Sequence, residues 1–246
     1  MSEGLRIEPV DGLPEFVEGM GVGQEIAARA ELADGDVVVI SQKIVSKAEG
    51  RIRQLSSAIP GAKARKLAAV LGKEPNLVEL ILEESSEVIR AERGVLIVET
   101  KHGFICANAG IDSSNLADPD TVCLLPEDPD ASARSIRREI AGPTIAVVIS
   151  DSFGRAWRLG QAEVAVGCAG LAVLDDWRGR RDGNGRGLEA TLIAIADEAA
   201  AAADLVRDKT SRTPVAIIRG LGHHVGSEDG PGAMALRRPR DEDLFR

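Results

Sequence analysis

Two carboxylates follow apolar runs closely enough for the chain to deliver both to one crevice. Residues 145–149, Ile-Ala-Val-Val-Ile, form a β-branched apolar run that predicts a strand buried on both faces, and it gives way to Ser150, Asp151 and Ser152. If a buried strand releases its chain there, a carboxylate and two hydroxyls point together into a crevice. Asp151 is then a hard-oxygen ligand for Mg²⁺ or Mn²⁺, with the Ser152 hydroxyl beside it. The alternative is a turn or a helix cap. Asp112 repeats the pattern in the run 108–115, Asn-Ala-Gly-Ile-Asp-Ser-Ser-Asn, after an extended segment at 104–107. Two carboxylates at two strand ends can clamp a divalent metal; the competing reading of this run is an Asx-rich loop. A third apolar strand, 37–40, runs into Ser41, Gln42, Lys43 and, four residues on, Lys47. On a helix, the i,i+4 spacing puts both ammonium groups on one face, either solvated or turned to a ligand. Ligand sites in layered α/β structures gather at strand ends, which favours the second. Arg155 and Arg158 add cations suited to an anionic or phosphorylated substrate.

The composition limits what these residues can serve. With 246 residues, 44% of them hydrophobic and 28% charged, the chain has ample material for an ordered core. A net charge of -9 argues against a nucleic-acid binder, which needs a phosphate-neutralising face, and the absence of Tyr removes one base-stacking platform. Cys106, Cys123 and Cys168 form no CxxC pair and sit among small or apolar neighbours, so they are expected as buried hydrophobes rather than zinc ligands. No apolar run reaches membrane-spanning length and no signal-peptide pattern opens the chain, so a cytoplasmic protein without membrane contact is expected.

The elements that must position the site follow from periodicity. Strands are expected at 5–10, 37–40, 95–98, 104–107, 145–149 and 214–220. Helices are expected at 24–32, 61–71, 76–89, 131–140 with Asp130 as cap, and 196–206. Residues 101–103 read as a hairpin turn and 122–125 as a short apolar run. Residues 175–187, rich in Gly, Arg and Asp, read as a loop: either a flap over an anionic substrate or a hairpin tip. The tail from 223 reads as polar surface, with His223-His224 unsuited to share one metal. The runs lack a βαβ rhythm and no GxxxxGK[ST] or GxGxxG occurs, so the expected class is α+β, mixed sheets with flanking helices, without a P-loop or Rossmann site. All 246 residues are expected in one domain, with two intertwined lobes allowed.

Five blocks taken together, GLPEF, VVVISQKIVSKAEGR, NAGIDSSN, VVISDSFGRAWRLGQAEVAVGCAGL and ADEAAAAADLV, resemble in order and spacing the coenzyme F420-0:γ-glutamyl ligase family. The resemblance spans residue 7 to the C-terminal Asp-Leu-Phe. It implies either a stand-alone ligase or the N-terminal ligase half of the bifunctional actinobacterial form. It further implies a homodimer and a GTP-dependent amide ligase that adds L-glutamate to coenzyme F420-0, then further γ-linked glutamates, releasing GDP and phosphate. By position it implies GTP contacts at Leu13, Pro14, Glu15, Phe16, Gln42, Lys47 and Asn115. Metal positions are implied at Asp112, Asp151 and Ser152, for Mg²⁺ or Mn²⁺, with K⁺ as an additional ion. A further nucleotide segment falls near 207–214 with no residue assigned, and no catalytic base is assigned.

The residues agree with this chemistry. A carboxylate is a poor electrophile, so an amide ligase converts it to an acyl phosphate, and positioning plus charge neutralisation by metal and lysine carry most of phosphoryl transfer. Two other classes stay open on the residues alone: a metal-dependent phosphohydrolase activating water with Asp112 and Asp151, and a nucleotide-sensing module without chemistry.

Overall fold

The computed structural model describes residues 4–114, 116–207 and 212–245. In chain order the elements are β1 (Arg6–Pro9), α1 (Val22–Ala27), β2 (Val37–Ser41), α2 (Gln42–Ala48), β3 (Ile52–Gln54), α3 (Ala62–Leu71), α4 (Pro75–Glu83), β4 (Ser85–Glu92), β5 (Val95–Thr100) and β6 (Ile105–Ala107). They continue with β7 (Thr121–Cys123), α5 (Pro129–Glu139), β8 (Ala146–Arg155), β9 (Arg158–Ala169), β10 (Asp175–Asp176), β11 (Leu192–Ile193), α6 (Ile195–Asp204) and β12 (Val215–Arg219). Several separate sheets with helices on their faces make this an α+β protein, as the sequence predicts.

The largest sheet has the order β1-β12-β2-β8-β9, antiparallel throughout except for the parallel pair β2 and β8. The apolar runs of β2 and β8 are continuous because both faces are covered. Val38, Ile40, Val147 and Ile149 pack into a core with α1, α2 and α5 residues, including Ile26, Val45 and Ile136. Val37, Val39, Ala146 and Val148 face Ala196, Ala199, Ala200 and Ala203 of α6. Those alanines recur at helical spacing and let α6 approach the sheet closely. The long connection from β2 to β8 holds a second group of elements, in which α3 and α4 cover β4-β5-β6 around Leu96 and Val98.

Several boundaries differ from the sequence expectation. The first predicted helix is shorter, Val22–Ala27. The helix expected over 76–89 ends at Glu83, where the Ser85 hydroxyl turns back to the Ile81 carbonyl. Residues 85–92 then form β4, their alternation suiting a strand that pairs with β5. The helix expected at 131–140 begins at Pro129, and its cap is Asp128, which accepts from the Ala131 N–H at 2.9 Å. Asp130 is instead buried, accepting from the N–H groups of Cys168 (2.8 Å), Ala233 (2.7 Å) and Met234 (3.3 Å). It joins α5, β9 and the tail, and a side chain at Gly232, where φ is +79°, would collide with its carboxylate. The tail is further held by Arg137, which donates to the carbonyls of Ile145, Gly226 and Ser227 and pairs with Asp229. The Gly-rich stretch 175–187 is not structureless: β10 pairs with β11 and Arg181 bridges to Gly187.

Asp130→Ala leaves three amides without their acceptor and is expected to lower stability by about 3 kcal/mol or more. Asp128→Ala, losing a cap and a partly exposed pairing with Arg134, should lower it by about 1 kcal/mol. Urea denaturation of both variants checks this, and a reversed order would restore Asp130 as the cap.

Candidate functional site

The site lies where β2 and β8 end their parallel pairing, at Ser41 and Ser150. From Ser41 the chain turns directly into α2. The helix sends Lys43 and Lys47 the same way, as the i,i+4 spacing predicts, and both side chains are largely buried, 14% and 12% exposed. Lys43 Nζ donates to Asp112 Oδ2 at 2.6 Å, to the Ser114 carbonyl at 2.8 Å and to Ser114 Oγ at 2.7 Å. Lys47 pairs with Glu15. Gln42 is turned inward, 1% exposed, its Oε1 accepting from Ser46 Oγ.

β8 does not release its chain at Asp151. It runs on to Arg155 as one arm of a hairpin with β9. Strand alternation therefore decides where the three side chains go. Ser150 and Ser152 lie on one face and donate to Glu163 Oε2 (2.6 Å) and Oε1 (2.5 Å). Arg207 closes that network, its Nη2 donating to Glu163 Oε2 at 3.0 Å and Ser150 Oγ at 3.1 Å. Asp151, between the serines, faces the other way, into the electrostatic field of Asp112 and Lys43. Asp151 thus feels the charge of Asp112, whereas the Ser152 side chain lies on the opposite face with its hydroxyl donating to Glu163.

The two aspartates differ in charge environment. Burial pushes Asp112 up, but Lys43, the Ser114 N–H and the Ser114 hydroxyl outweigh it and hold the carboxyl below its usual range. Asp151 is pushed up to about 7, first by burial and then by the charges of Glu163 and Asp112, against the Ser152 N–H and Lys43. Two cysteines lie close by. Burial, with the charge of Asp151, raises Cys106 to about 12, and burial raises Cys123 to about 11, which favours the neutral thiol at both.

Asp112 and Asp151 suit a hard divalent cation: a carboxylate raised by like charges is one that a cation would ionise. Among the described residues no three His, Cys, Asp or Glu groups stand together to cage a metal. Mg²⁺ commonly rests on one or two carboxylates and takes its remaining oxygens from phosphates and water.

The other predicted positions are scattered. Leu13 packs on the main core and Phe16 lies inside it, 2% exposed, so of the first loop Glu15 is the side chain presented outward. Asn115 lies outside the described residues, as does 208–211 of the segment near 207–214. Three of the arginines expected to meet an anionic substrate have internal partners. Arg155 donates to the Leu159 carbonyl, Arg178 pairs with Asp176, and Arg180 pairs with Asp175 while stacking over Trp177 at 5.0 Å. Lys43 was flagged by spacing but assigned no role. Glu163 and Arg207 were missed, since the side chains they bond to, Ser150, Ser152 and each other, lie 11 or more residues away along the chain and carry no local signal.

A family model described as F420-0:Gamma-glutamyl ligase matches residues 12–220. A relative named coenzyme F420:L-glutamate ligase, from Methanothermobacter thermautotrophicus, is 45% identical over 256 residues, covering 99% of each chain. Relatives of the same name from Methanopyrus kandleri and Haloarcula marismortui are 43% and 44% identical. The first covers 98% of each chain; the second covers 98% of this chain and 96% of its own.

Asp151 also predicts a pH dependence. Its folded pKa of about 7 exceeds the ordinary 3.8, so the folded form holds the proton longer than the unfolded one and stability falls as pH rises between those values. With chelator present, Asp151→Asn should gain stability over wild type by about 2 kcal/mol between pH 5 and pH 8. Thermal melts at both pH values measure the difference; a pH-independent gap between the proteins contradicts the raised pKa.

Proposed function

The chain belongs to the F420-0:γ-glutamyl ligase family, and on that premise we propose that it joins the amine of L-glutamate to a carboxylate of coenzyme F420-0, with GTP as phosphoryl donor, and then adds further γ-linked glutamates. The observation that carries the chemistry is the convergence of Asp112, Asp151, Lys43 and Lys47 where β2 and β8 part. In this reading a carboxylate oxygen of the acceptor attacks the γ-phosphorus of GTP. The bond to the β–γ bridging oxygen breaks, and GDP leaves. The neutral amine of glutamate then attacks the acyl carbon, phosphate departs with the C–O bond electrons, and the amine gives up a proton as the amide forms.

Within this scheme each residue has a physical task. Asp112 and Asp151 would hold Mg²⁺ or Mn²⁺, which supplies neutralisation for the phosphate oxygens when bound. Lys47 exchanges Glu15 for a phosphate, a charge-assisted contact that fixes the nucleotide. Ser150, Ser152, Glu163 and Arg207 keep β8 and β9 in register beneath Asp151, so the carboxylate is positioned before substrate arrives. The reading includes a homodimer, supported by the apolar hairpin tip, where Trp157 is 81% and Leu159 96% exposed; light scattering should give twice the chain mass.

The central test is mass spectrometry of products after incubation with F420-0, GTP, glutamate and Mg²⁺ or Mn²⁺. Glutamylated F420 should form with GTP and much less with ATP, and GTP turnover should require both other substrates. Turnover of GTP alone would point to a phosphohydrolase instead.

Asp112→Ala and Asp151→Ala are each expected to abolish ligation with an unchanged circular dichroism spectrum; near-normal turnover in either would remove that residue from the metal site. Lys47→Ala should weaken GTP binding or slow turnover about 10- to 150-fold. Lys73→Ala, in the turn between α3 and α4, should match wild type. Calorimetry and steady-state rates that fail to separate the two lysine variants would make Lys47 a structural charge only.

A further inference from the structure

We propose that Lys43 is a built-in stand-in cation at Asp112. It would occupy the oxygen that a divalent metal takes and swing to a nucleotide phosphate when the metal arrives. This rests on the metal and nucleotide reading above and adds to it a residue that reading leaves without a role.

The argument begins with hydrogen-bond capacity. A lysine ammonium has three donors, and all three of Lys43 are used: one on Asp112 Oδ2, one on the Ser114 carbonyl, one on Ser114 Oγ. Asp112 is engaged at both oxygens, Oδ2 twice. Its Oδ1 accepts from the Ser114 N–H at 2.7 Å, and its Oδ2 accepts from Ser114 Oγ at 2.9 Å as well as from Lys43. A cation approaching Asp112 therefore meets an oxygen already holding a positive charge at 2.6 Å. A divalent ion and an ammonium cannot share that oxygen without strong repulsion, so one must displace the other.

The geometry also provides the ammonium with somewhere to go. Lys43 and Lys47 leave α2 in the same direction, one turn apart, and each is paired with a carboxylate, Asp112 and Glu15 respectively. A nucleotide's phosphates would supply anionic oxygens between them. The long flexible stem of lysine lets the head move without disturbing the helix. Lys43 thus lowers the repulsion between Asp112 and Asp151 in the ligand-free protein and discourages a metal arriving without nucleotide.

The consequence has an unusual sign. Removing a residue from a binding site ordinarily weakens binding, whereas removing a competitor strengthens it. Mn²⁺ binding to the full chain without nucleotide, read by the electron paramagnetic resonance signal of free Mn²⁺ at pH 8, separates the two. Lys43→Met keeps the apolar stem and should tighten Mn²⁺ about tenfold, the lower end of what a charge-assisted contact is worth. Lys43→Gln, which can still donate to Ser114, should also tighten it, and serves if the Met variant does not fold. Lys43→Arg should not tighten it. Lys47→Met removes an equal charge one turn away and should change Mn²⁺ affinity less than threefold. Unchanged or weaker binding in both neutral Lys43 variants overturns the proposal, and so does equal tightening by Lys47→Met, which would mean a general field effect. Asp112→Asn tests the underlying reading: if it leaves wild-type Mn²⁺ affinity unaltered, the metal is not at Asp112 and both ideas fall. If it abolishes binding while Lys43→Met changes nothing, only the role of Lys43 falls.

Discussion

Like charge drawn out of water is the constraint around which this structure is arranged. Asp151 lies within the field of two other carboxylates, Asp112 and Glu163, and both raise its proton affinity. Such a group is tolerable only if its neighbours are neutralised. Lys43 does this for Asp112 on one face of β8, and Arg207 for Glu163 on the other. Among the described residues Asp151 itself pairs with no lysine or arginine. Two of three carboxylates are thus balanced, and the third is left where an added cation would be welcome.

The parallel pair β2 and β8 makes that arrangement possible. Two strands buried on both faces form a rigid base, and their ends project helix α2 and the β8–β9 hairpin from adjacent positions. β8 continues past its pairing with β2, still bonded to β9, so alternation persists through Ser150, Asp151 and Ser152. One side of the ribbon becomes a hydrogen-bonded scaffold and the other carries the largely buried carboxylate of Asp151. The buried anchor at Asp130 and the clamp at Arg137 fix the far end of the same strands to α5 and the tail. Function-bearing groups on such elements are held more precisely than groups on loops.

Much of this was legible in residue order. The apolar runs 37–40 and 145–149, the Ala-rich helix and the spacing of Lys43 and Lys47 all report local periodicity, which neighbouring residues fix without help from distant ones. The Asp112 and Asp151 positions were also readable, because each follows an extended segment and because the five blocks around them match one family.

What the sequence by itself determined, then, is the main apolar strands and most helices, the α+β class and the family. The tertiary structure decided the rest. Residues 85–92 carry a pattern compatible with either period, and pairing with β5 selected the strand. Asp130 reads as the cap on paper, but three distant amides claimed it, and Asp128 caps the helix instead. The opposite facing of Asp151 and Ser152 follows from β8 continuing into a hairpin with β9. The partnerships of Glu163 with Arg207 and of Lys43 with Asp112 span 44 and 69 positions and exist only once the sheet has formed. Charge neutralisation acts through space, and a linear sequence records only what is near along the chain.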